Sequence, residues 1–202
     1  IEKVALNPAA QWAPCFGPTV ADFNNDGHED VFLSQNLDTG NHKWGRMDAG
    51  HGLLLLGDGE GNLNAIPSTA SGIRLKNEQR GTASADFNQD GKMDLAVLER
   101  GKGAHLFVNQ TEHTGVTVSL KGSSANPHCI GARLQKINLQ TGNVYGPSKE
   151  IQSGSGYRSL NSLKHVFAHP GKAFQIQVTW PNGKISRHSI PSGITTVTLQ
   201  QP

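Results

Sequence analysis

The sequence contains few cysteines, few aromatic residues and no long apolar run. Its two cysteines, Cys15 and Cys129, are too few for a framework of several disulfide bridges, and they leave open either one pair or two free thiols. The longest clear apolar run is 53–56, far short of the roughly 20 residues that cross a membrane as a helix. We therefore predict no membrane span.

Charge is also scarce and nearly balanced. Charged residues make up 17% of the 202 residues, and the formal net charge is +2 at pH 7. The sequence has no run rich in lysine and arginine, so it does not predict a nucleic-acid partner. Glycine, in contrast, is abundant at 24 residues, and no segment shows a convincing helical period. These features favour a loop-rich, all-β protein with very little helix.

A nine-residue segment occurs twice. Residues 22–30 read DFNNDGHED and residues 86–94 read DFNQDGKMD, so both follow the pattern D-F-N-x-D-G-x-x-D. Each copy has oxygen-bearing side chains at positions 1, 3, 5 and 9, has glycine at position 6, and continues into an apolar stretch. Calcium takes about six to eight oxygen ligands, and oxygens at alternate positions of a tight loop can converge on one ion. The sequence therefore predicts two Ca²⁺ sites.

Four side chains and one backbone carbonyl are predicted to bind the ion in each loop. In the first loop the side chains are those of Asp22, Asn24, Asp26 and Asp30, and His28 provides its carbonyl. In the second loop they are those of Asp86, Asn88, Asp90 and Asp94, and Lys92 provides its carbonyl. Three carboxylates crowded in one loop repel one another, and a divalent cation removes that cost.

The repeated segment has two alternative interpretations, an EF-hand and a turn without metal. The EF-hand requires a glutamate at position 12, where these copies have Leu33 and Val97 within strand-like runs, so the EF-hand is excluded. The simpler alternative is a turn without metal, since Asn, Asp and Gly favour turns by themselves. The agreement of both copies at every ligand position favours calcium over the simple turn.

The repeated pattern resembles the VCBS/FG-GAP repeat, the calcium-bearing blade unit of integrin-like β-propellers. The ligand positions of that family fall on the eight side chains given above, with Asn at position 3 where Asp is also common. The second copy ends after the strand predicted at 104–108, so fewer than two full blades are present, whereas closed propellers have about 4–8. We expect the open sheet edges to be covered by missing upstream repeats, by the C-terminal region or by another chain, including a second copy of this one.

The second half of the chain lacks the repeated segment and shows other sequence patterns. Residues 174–180 alternate apolar and polar side chains as a half-buried strand does, and the segment Trp-Pro-Asn-Gly-Lys at 180–184 predicts a tight turn. The segments NPHCIGA at 126–132, SGSGY at 153–157 and VTWPNG at 178–183 resemble the ASPIC/UnbV domain, which is named for cartilage acidic protein. That resemblance implies an extracellular calcium-binding β protein and does not identify its ligand.

These observations predict an all-β protein in two domains. Residues 1–112 are expected to form about two propeller-like blades that bind calcium, packed against a C-terminal antiparallel β domain at 113–202. No catalytic residue is predicted: Ser155 lacks the first glycine of Gly-x-Ser-x-Gly, and the nine histidines are dispersed. Two aromatic residues, Trp44 and Tyr157, are candidates to contact a ligand.

The sequence thus favours a non-catalytic, calcium-binding adhesion or recognition module with a protein or polysaccharide partner. We expect it to be secreted or periplasmic, because loops of this kind fill where calcium is plentiful. One alternative is a carbohydrate-active enzyme or its accessory sugar-binding domain. The other is a structural end fragment of a larger propeller.

Overall fold

The computed structural model describes residues 5–38, 45–169, 171 and 173–202. Strands dominate this part of the chain, and the helical segments described are a 3-10 turn at Pro8–Gln11 and one short helix, α1, at Ser68–Ser71. The prediction of an all-β protein with very little helix is confirmed. No described helix is long and apolar enough to cross a bilayer.

The first repeat is a four-stranded antiparallel sheet. Its strands, in hydrogen-bonded order, are β1 (Cys15–Ala21), β2 (Asp30–Gln35), β5 (Leu53–Gly57) and β6 (Leu63–Ile66). The polar excursion between β2 and β5 contains a short antiparallel pair, β3 (Leu37–Asp38) with β4 (Arg46–Met47). Phe32 on β2 and Leu55 on β5 are fully buried on opposite faces of this sheet, because Phe32 pairs with Leu54 and not with Leu55. Both faces of the sheet are therefore covered by apolar clusters.

The second repeat contributes three antiparallel strands. They are β7 (Gln79–Ala85), β8 (Asp94–Glu99) and β9 (Gly103–Phe107), and β7 packs beside β1 of the first repeat. The hydroxyl groups of Thr19 and Thr82 meet across this contact. In the described residues no fourth strand pairs with β9, so the two sheets agree with the prediction of fewer than two full blades.

The C-terminal half forms two further sheets. The three-stranded sheet has the order β13 (His165–Ala168), β10 (Gly115–Lys121), β16 (Thr196–Gln200). The four-stranded sheet has the order β12 (Val144–Glu150), β11 (Arg133–Ile137), β14 (Phe174–Thr179), β15 (Ile185–Ile190), and all its pairs are antiparallel.

One strand pair corrects the prediction of a purely antiparallel C-terminal domain. Strands β10 and β16 run parallel, with Thr117 opposite Thr196 and Lys121 opposite Gln200. Parallel neighbours need a long crossover connection, because the chain must return to the starting end of the sheet. Here the whole four-stranded sheet lies within that connection, which is why local strand patterns did not reveal the direction of β16.

The C-terminal half has its own apolar core. Strand β14 buries Phe174, Ile176 and Val178 on one face, as its alternating sequence predicts. Trp180 is 1% exposed and donates its indole N–H to Ser186 Oγ at 2.7 Å, which satisfies the polar end of a buried ring. Cys129 is buried in this core and Cys15 is exposed on β1; both are free thiols, so they do not pair.

A second core lies between the two repeats and includes one residue of the C-terminal half. Val166 on β13 is 1% exposed and packs in the same cluster as Phe32, Leu95 and Val97 of the repeats. The two halves therefore share apolar packing as well as polar contacts. The domain boundary at residue 112 stays a prediction.

Candidate metal centre

Both nine-residue segments form the same loop at the same place in their sheets. The first connects β1 to β2, and the second connects β7 to β8. Position 4 of each loop has a left-handed backbone, with φ of 56° at Asn25 and 62° at Gln89. Position 6 is also left-handed, and a Cβ at Gly91 would lie 2.4 Å from the carbonyl oxygen of Gly115. The turn therefore favours glycine at position 6 of both loops, and in the second loop the close approach of β10 also requires it.

The aspartate at position 1 holds the turn through the same two atoms in both copies. Asp22 Oδ1 accepts from the backbone N–H of Asp26 at 3.1 Å, and Oδ2 accepts from Gly27 at 2.9 Å. In the second loop the corresponding distances from Asp86 are 3.0 Å and 3.1 Å. The position-1 carboxylate therefore lies over the middle of the loop, where it caps two amides that the sharp turn leaves without a strand partner.

The side chains at positions 3 and 5 also accept from backbone amides of the loop. Asn24 Oδ1 accepts from the N–H of Asp26 at 3.1 Å, and Asp26 Oδ1 accepts from the N–H of His28 at 2.8 Å. The equivalent distances in the second loop are 3.2 Å from Asn88 and 3.1 Å from Asp90. Because positions 1 and 3 share one N–H, their oxygens lie close together above a single turn of backbone.

The aspartate at position 9 connects the loop to the third strand of its sheet. Asp30 Oδ2 accepts from the N–H of Phe23 at 2.7 Å, and Oδ1 accepts from the N–H of Gly57 at 2.9 Å. Asp94 does the same, with Phe87 at 2.9 Å and Asn109 at 2.8 Å. Neither Gly57 nor Asn109 lies in the repeated pattern, so the sequence did not predict these two contacts.

The donor set of each loop has the chemistry that calcium selects, namely three carboxylates and one amide oxygen within nine residues. Its arrangement in the structure satisfies backbone amides instead. In the described residues no three Asp, Glu, His or Cys side chains are grouped as around a metal ion. The donor types fit calcium. Ligation by the eight side chains and by the carbonyls of His28 and Lys92 therefore stays a prediction.

Burial makes the charged form of the first loop costly. Burial raises the pKa of Asp30 to about 6, although the N–H groups of Gly57 and Phe23 act in the opposite direction. Burial also raises the pKa of Asp22, which is 2% exposed, and the positive charge of Lys149 counters part of that effect. A cation near these carboxylates would favour their charged forms.

The two loops lie against each other and against the start of the C-terminal half. The side-chain amide of Asn25 donates to the carbonyl of Gly91 in the second loop at 3.1 Å and to that of His113 at 3.0 Å. The N–H of Gly115, where β10 begins, donates to the same Gly91 carbonyl at 2.8 Å. The first residues of the C-terminal half thus join both candidate sites.

The predicted aromatic ligand contacts have different outcomes. Trp44 lies outside the described residues. Tyr157 is 39% exposed and packs at 6.4 Å from the ring of Phe16, over which the guanidinium of Arg80 lies at 3.8 Å. Tyr157 is the partly exposed member of this stack, and its other members, Phe16 and Arg80, carried no sequence signal because they come from separate strands.

Comparison with known proteins shows what the part of the chain that contains both loops is similar to. Residues 22–97, a span that contains both loops, match the FG-GAP-like repeat family. The repeats recognised in the sequence, followed by a domain resembling ASPIC/UnbV, are confirmed.

The particular relatives are cartilage acidic proteins. The chain is 27% identical over 178 residues to cartilage acidic protein 1 of Homo sapiens, covering 86% of this chain and 26% of that protein. It is 28% identical over 183 residues to the Mus musculus protein, with coverages of 85% and 26%. The chain therefore spans about a quarter of the length of the curated relatives that it matches.

Proposed function

We propose that this chain is a non-catalytic, extracellular recognition module in which each nine-residue loop binds one calcium ion. The observation that carries the proposal is the agreement of the two loops, which repeat the same side-chain-to-backbone contacts at positions 1, 3, 5 and 9. Turn chemistry alone needs fewer carboxylates, since one Asn or Asp already completes a tight turn. The presence of all three carboxylates in both loops supports the binding of a cation by each.

Calcium, when bound, would offset two of the three negative charges in each loop. The residues of the chain then determine what that neutralisation stabilises. Position 1 holds the turn, and position 9 fixes the loop to the third strand through Gly57 or Asn109. Each site thus connects three strands of its sheet, so we expect calcium to increase the stability of both repeats.

Three considerations support recognition outside the cytosol. The match to the FG-GAP-like repeat family and the similarity to cartilage acidic proteins support an extracellular recognition role and not a catalytic one. Calcium sites of this type fill where the ion is plentiful. The open stack at Tyr157 and Phe16 offers an aromatic surface to a protein or polysaccharide partner.

A second candidate, an accessory sugar-binding domain, is favoured by one cavity. It measures about 360 Å³ and lies between the repeats and the C-terminal half. Glu29, Gln152, Ser155 and Asn161 contribute polar groups to it, and Met93 an apolar one. Saturable binding of an oligosaccharide, lost in Gln152→Ala and retained in Glu60→Gln, would favour this candidate.

The test of the calcium proposal is a titration of Ca²⁺ into chelator-stripped protein, followed by calorimetry and by the melting temperature. We expect two bound ions and a higher melting temperature in calcium. Asp26→Ala and Asp90→Ala should each remove one site, while the exposed Glu60→Gln serves as the matched control. Absence of binding at millimolar calcium, or unchanged stoichiometry in both loop variants, would refute the proposal.

A further inference from the structure

The two loops have the same pattern and the same internal contacts, but they face different neighbours. Both position-1 aspartates point toward the C-terminal half. Asp86 in the second loop receives the hydroxyl of Thr117 at 2.6 Å, a neutral donor on β10. Asp22 in the first loop instead lines a small cavity with two lysines, Lys136 of β11 and Lys149 of β12.

Lys149 is held in place beside the first loop. Its side chain is 9% exposed, and its ammonium lies 2.9 Å from Glu29 Oε1, one residue before the position-9 aspartate. The same ammonium lies 5.6 Å from the centre of the Phe167 ring. A buried ammonium is retained only where nearby groups stabilise its charge, so its position is a fixed feature of the fold.

Lys136 reaches the same loop from the neighbouring strand. Its ammonium donates to the carbonyl of Ala168 at 2.7 Å and lies 5.6 Å from the ring of Phe174. A Cβ at Gly27 would lie 3.9 Å from this nitrogen, so Lys136 approaches the glycine of the loop itself. Two positive charges from the C-terminal half therefore lie beside the carboxylates of the first loop.

The second loop has no such arrangement in the described residues. Its own Lys92 is a half-buried residue at position 7, and no ion pair of the described residues joins it to a loop carboxylate. The corresponding residue of the first loop is His28, so the side chain at position 7 does not explain the difference. What distinguishes the loops is that lysines face one and a threonine faces the other.

We propose that Lys149 and Lys136 are built-in counter-cations of the first loop, and that this loop binds calcium more weakly than the second. The inference rests on the calcium binding proposed above. A fixed positive charge near the site already compensates part of the carboxylate charge, and it repels an incoming divalent ion. The two sites of the chain would then fill at different calcium concentrations.

This difference in calcium affinity between the two loops would make the C-terminal half a regulator of the first site. Both lysines belong to that half, so any event that moves β11 and β12 away from the loop should raise its affinity. Linkage requires the converse: calcium in the first loop would weaken the packing of β11 and β12 against it by the same factor. The second loop, whose position-1 carboxylate accepts a neutral hydroxyl from the C-terminal half, would keep its ion throughout.

The decisive experiment measures the first site alone. In an Asp90→Ala background, which removes the second site, calcium is titrated into the protein with and without Lys149→Met. Methionine keeps an apolar stem of similar length and removes the charge. We expect the affinity of the first site to rise about tenfold, the order of effect of one unit charge near a divalent ion in a partly hydrated site.

Three controls accompany this measurement. Lys149→Arg keeps the positive charge and should leave the affinity within about twofold of the starting value. Lys184→Met removes an exposed lysine from a hairpin turn of the same half and should also leave it unchanged. Higher salt should reduce the effect of Lys149→Met, because fixed charges are screened over roughly 10 Å at 0.1 M ionic strength.

The outcomes separate this inference from the calcium proposal itself. Two ions bound with equal affinity in the wild type, or an unchanged affinity in Lys149→Met, would overturn the counter-cation role and leave calcium binding intact. No binding in either loop would overturn the proposed function. If Lys149→Met does not fold, Lys136→Met provides the same test, since its ammonium bonds a carbonyl and not a carboxylate.

Discussion

Acidification is expected to weaken the fold through one histidine at the junction of the halves. His165 begins β13, and its Nε2 lies 3.2 Å from the carbonyl oxygen of Glu150. Burial lowers the pKa of His165 to about 4 from an ordinary value of 6.5, and the nearby charge of Lys149 acts in the same direction. The folded state therefore resists protonation of this ring, whereas the unfolded state accepts it.

The sign and size of the effect follow from these two values. Above pH 6.5 the ring is neutral in both states, so it contributes no pH dependence. Between pH 6.5 and pH 4 only the unfolded chain gains the proton, and stability falls as the pH falls. With 1.36 kcal/mol per unit, the loss reaches about 2 kcal/mol at pH 5.

Urea unfolding in chelator at several pH values between 7.5 and 5 measures this loss. The comparison is with His165→Gln, whose amide can still donate to Glu150 and does not titrate. Protonation of Asp30, with its pKa raised to about 6 by burial, acts in the opposite direction but affects both proteins equally. The exposed His128→Gln is the matched control and should follow the wild type. Parallel pH profiles for wild type and His165→Gln would refute the reasoning.

Three further outcomes are expected. Asn25→Ala should lower the free energy of unfolding by about 2 kcal/mol in urea titrations, because a buried hydrogen bond to Gly91 and a partly buried one to His113 are lost; a loss below about 0.5 kcal/mol would contradict this. Trp180→Phe should cost about 2 kcal/mol by the same assay, since it leaves a cavity and removes the bond to Ser186. Calcium at about 100 times its dissociation constant should stabilise each intact site by about 2.7 kcal/mol, and an unchanged melting temperature would exclude preferential binding to the folded state.

The sequence was informative where structure is determined locally. Each loop is nine consecutive residues, so its turn, its glycine and its capping aspartates are all written in one pattern, and the structure forms the same loop twice. Alternation in 174–179 likewise reports a strand whose two faces meet different environments. Such patterns depend only on neighbours in the chain, so the tight turn and the strand could be predicted, whereas calcium ligation by the aspartates stays a prediction.

Contacts between distant segments had no such pattern. Asn109, which follows β9, contacts Asp94, and Lys149 contacts Glu29, 120 positions earlier in the sequence. Neither contact could be predicted from the residues adjacent in the chain. The parallel direction of β16 belongs to the same class, since direction depends on the path of the intervening chain. Residues that contact the two loops from distant segments could therefore not be predicted from the sequence, and calcium binding by the loops stays a prediction.

The packing of Val166 among the repeat residues has a consequence for the order in which the molecule can fold. Phe32 cannot complete its burial until a residue more than 130 positions later has been synthesised. Strand β10 likewise lacks one of its two partner strands until β16 has been synthesised. Most of this chain would therefore have emerged from the ribosome before the core between the two repeats could be completed. During that interval the apolar faces of the repeats stay open to chaperones, and contacts of such high sequence separation favour slow folding.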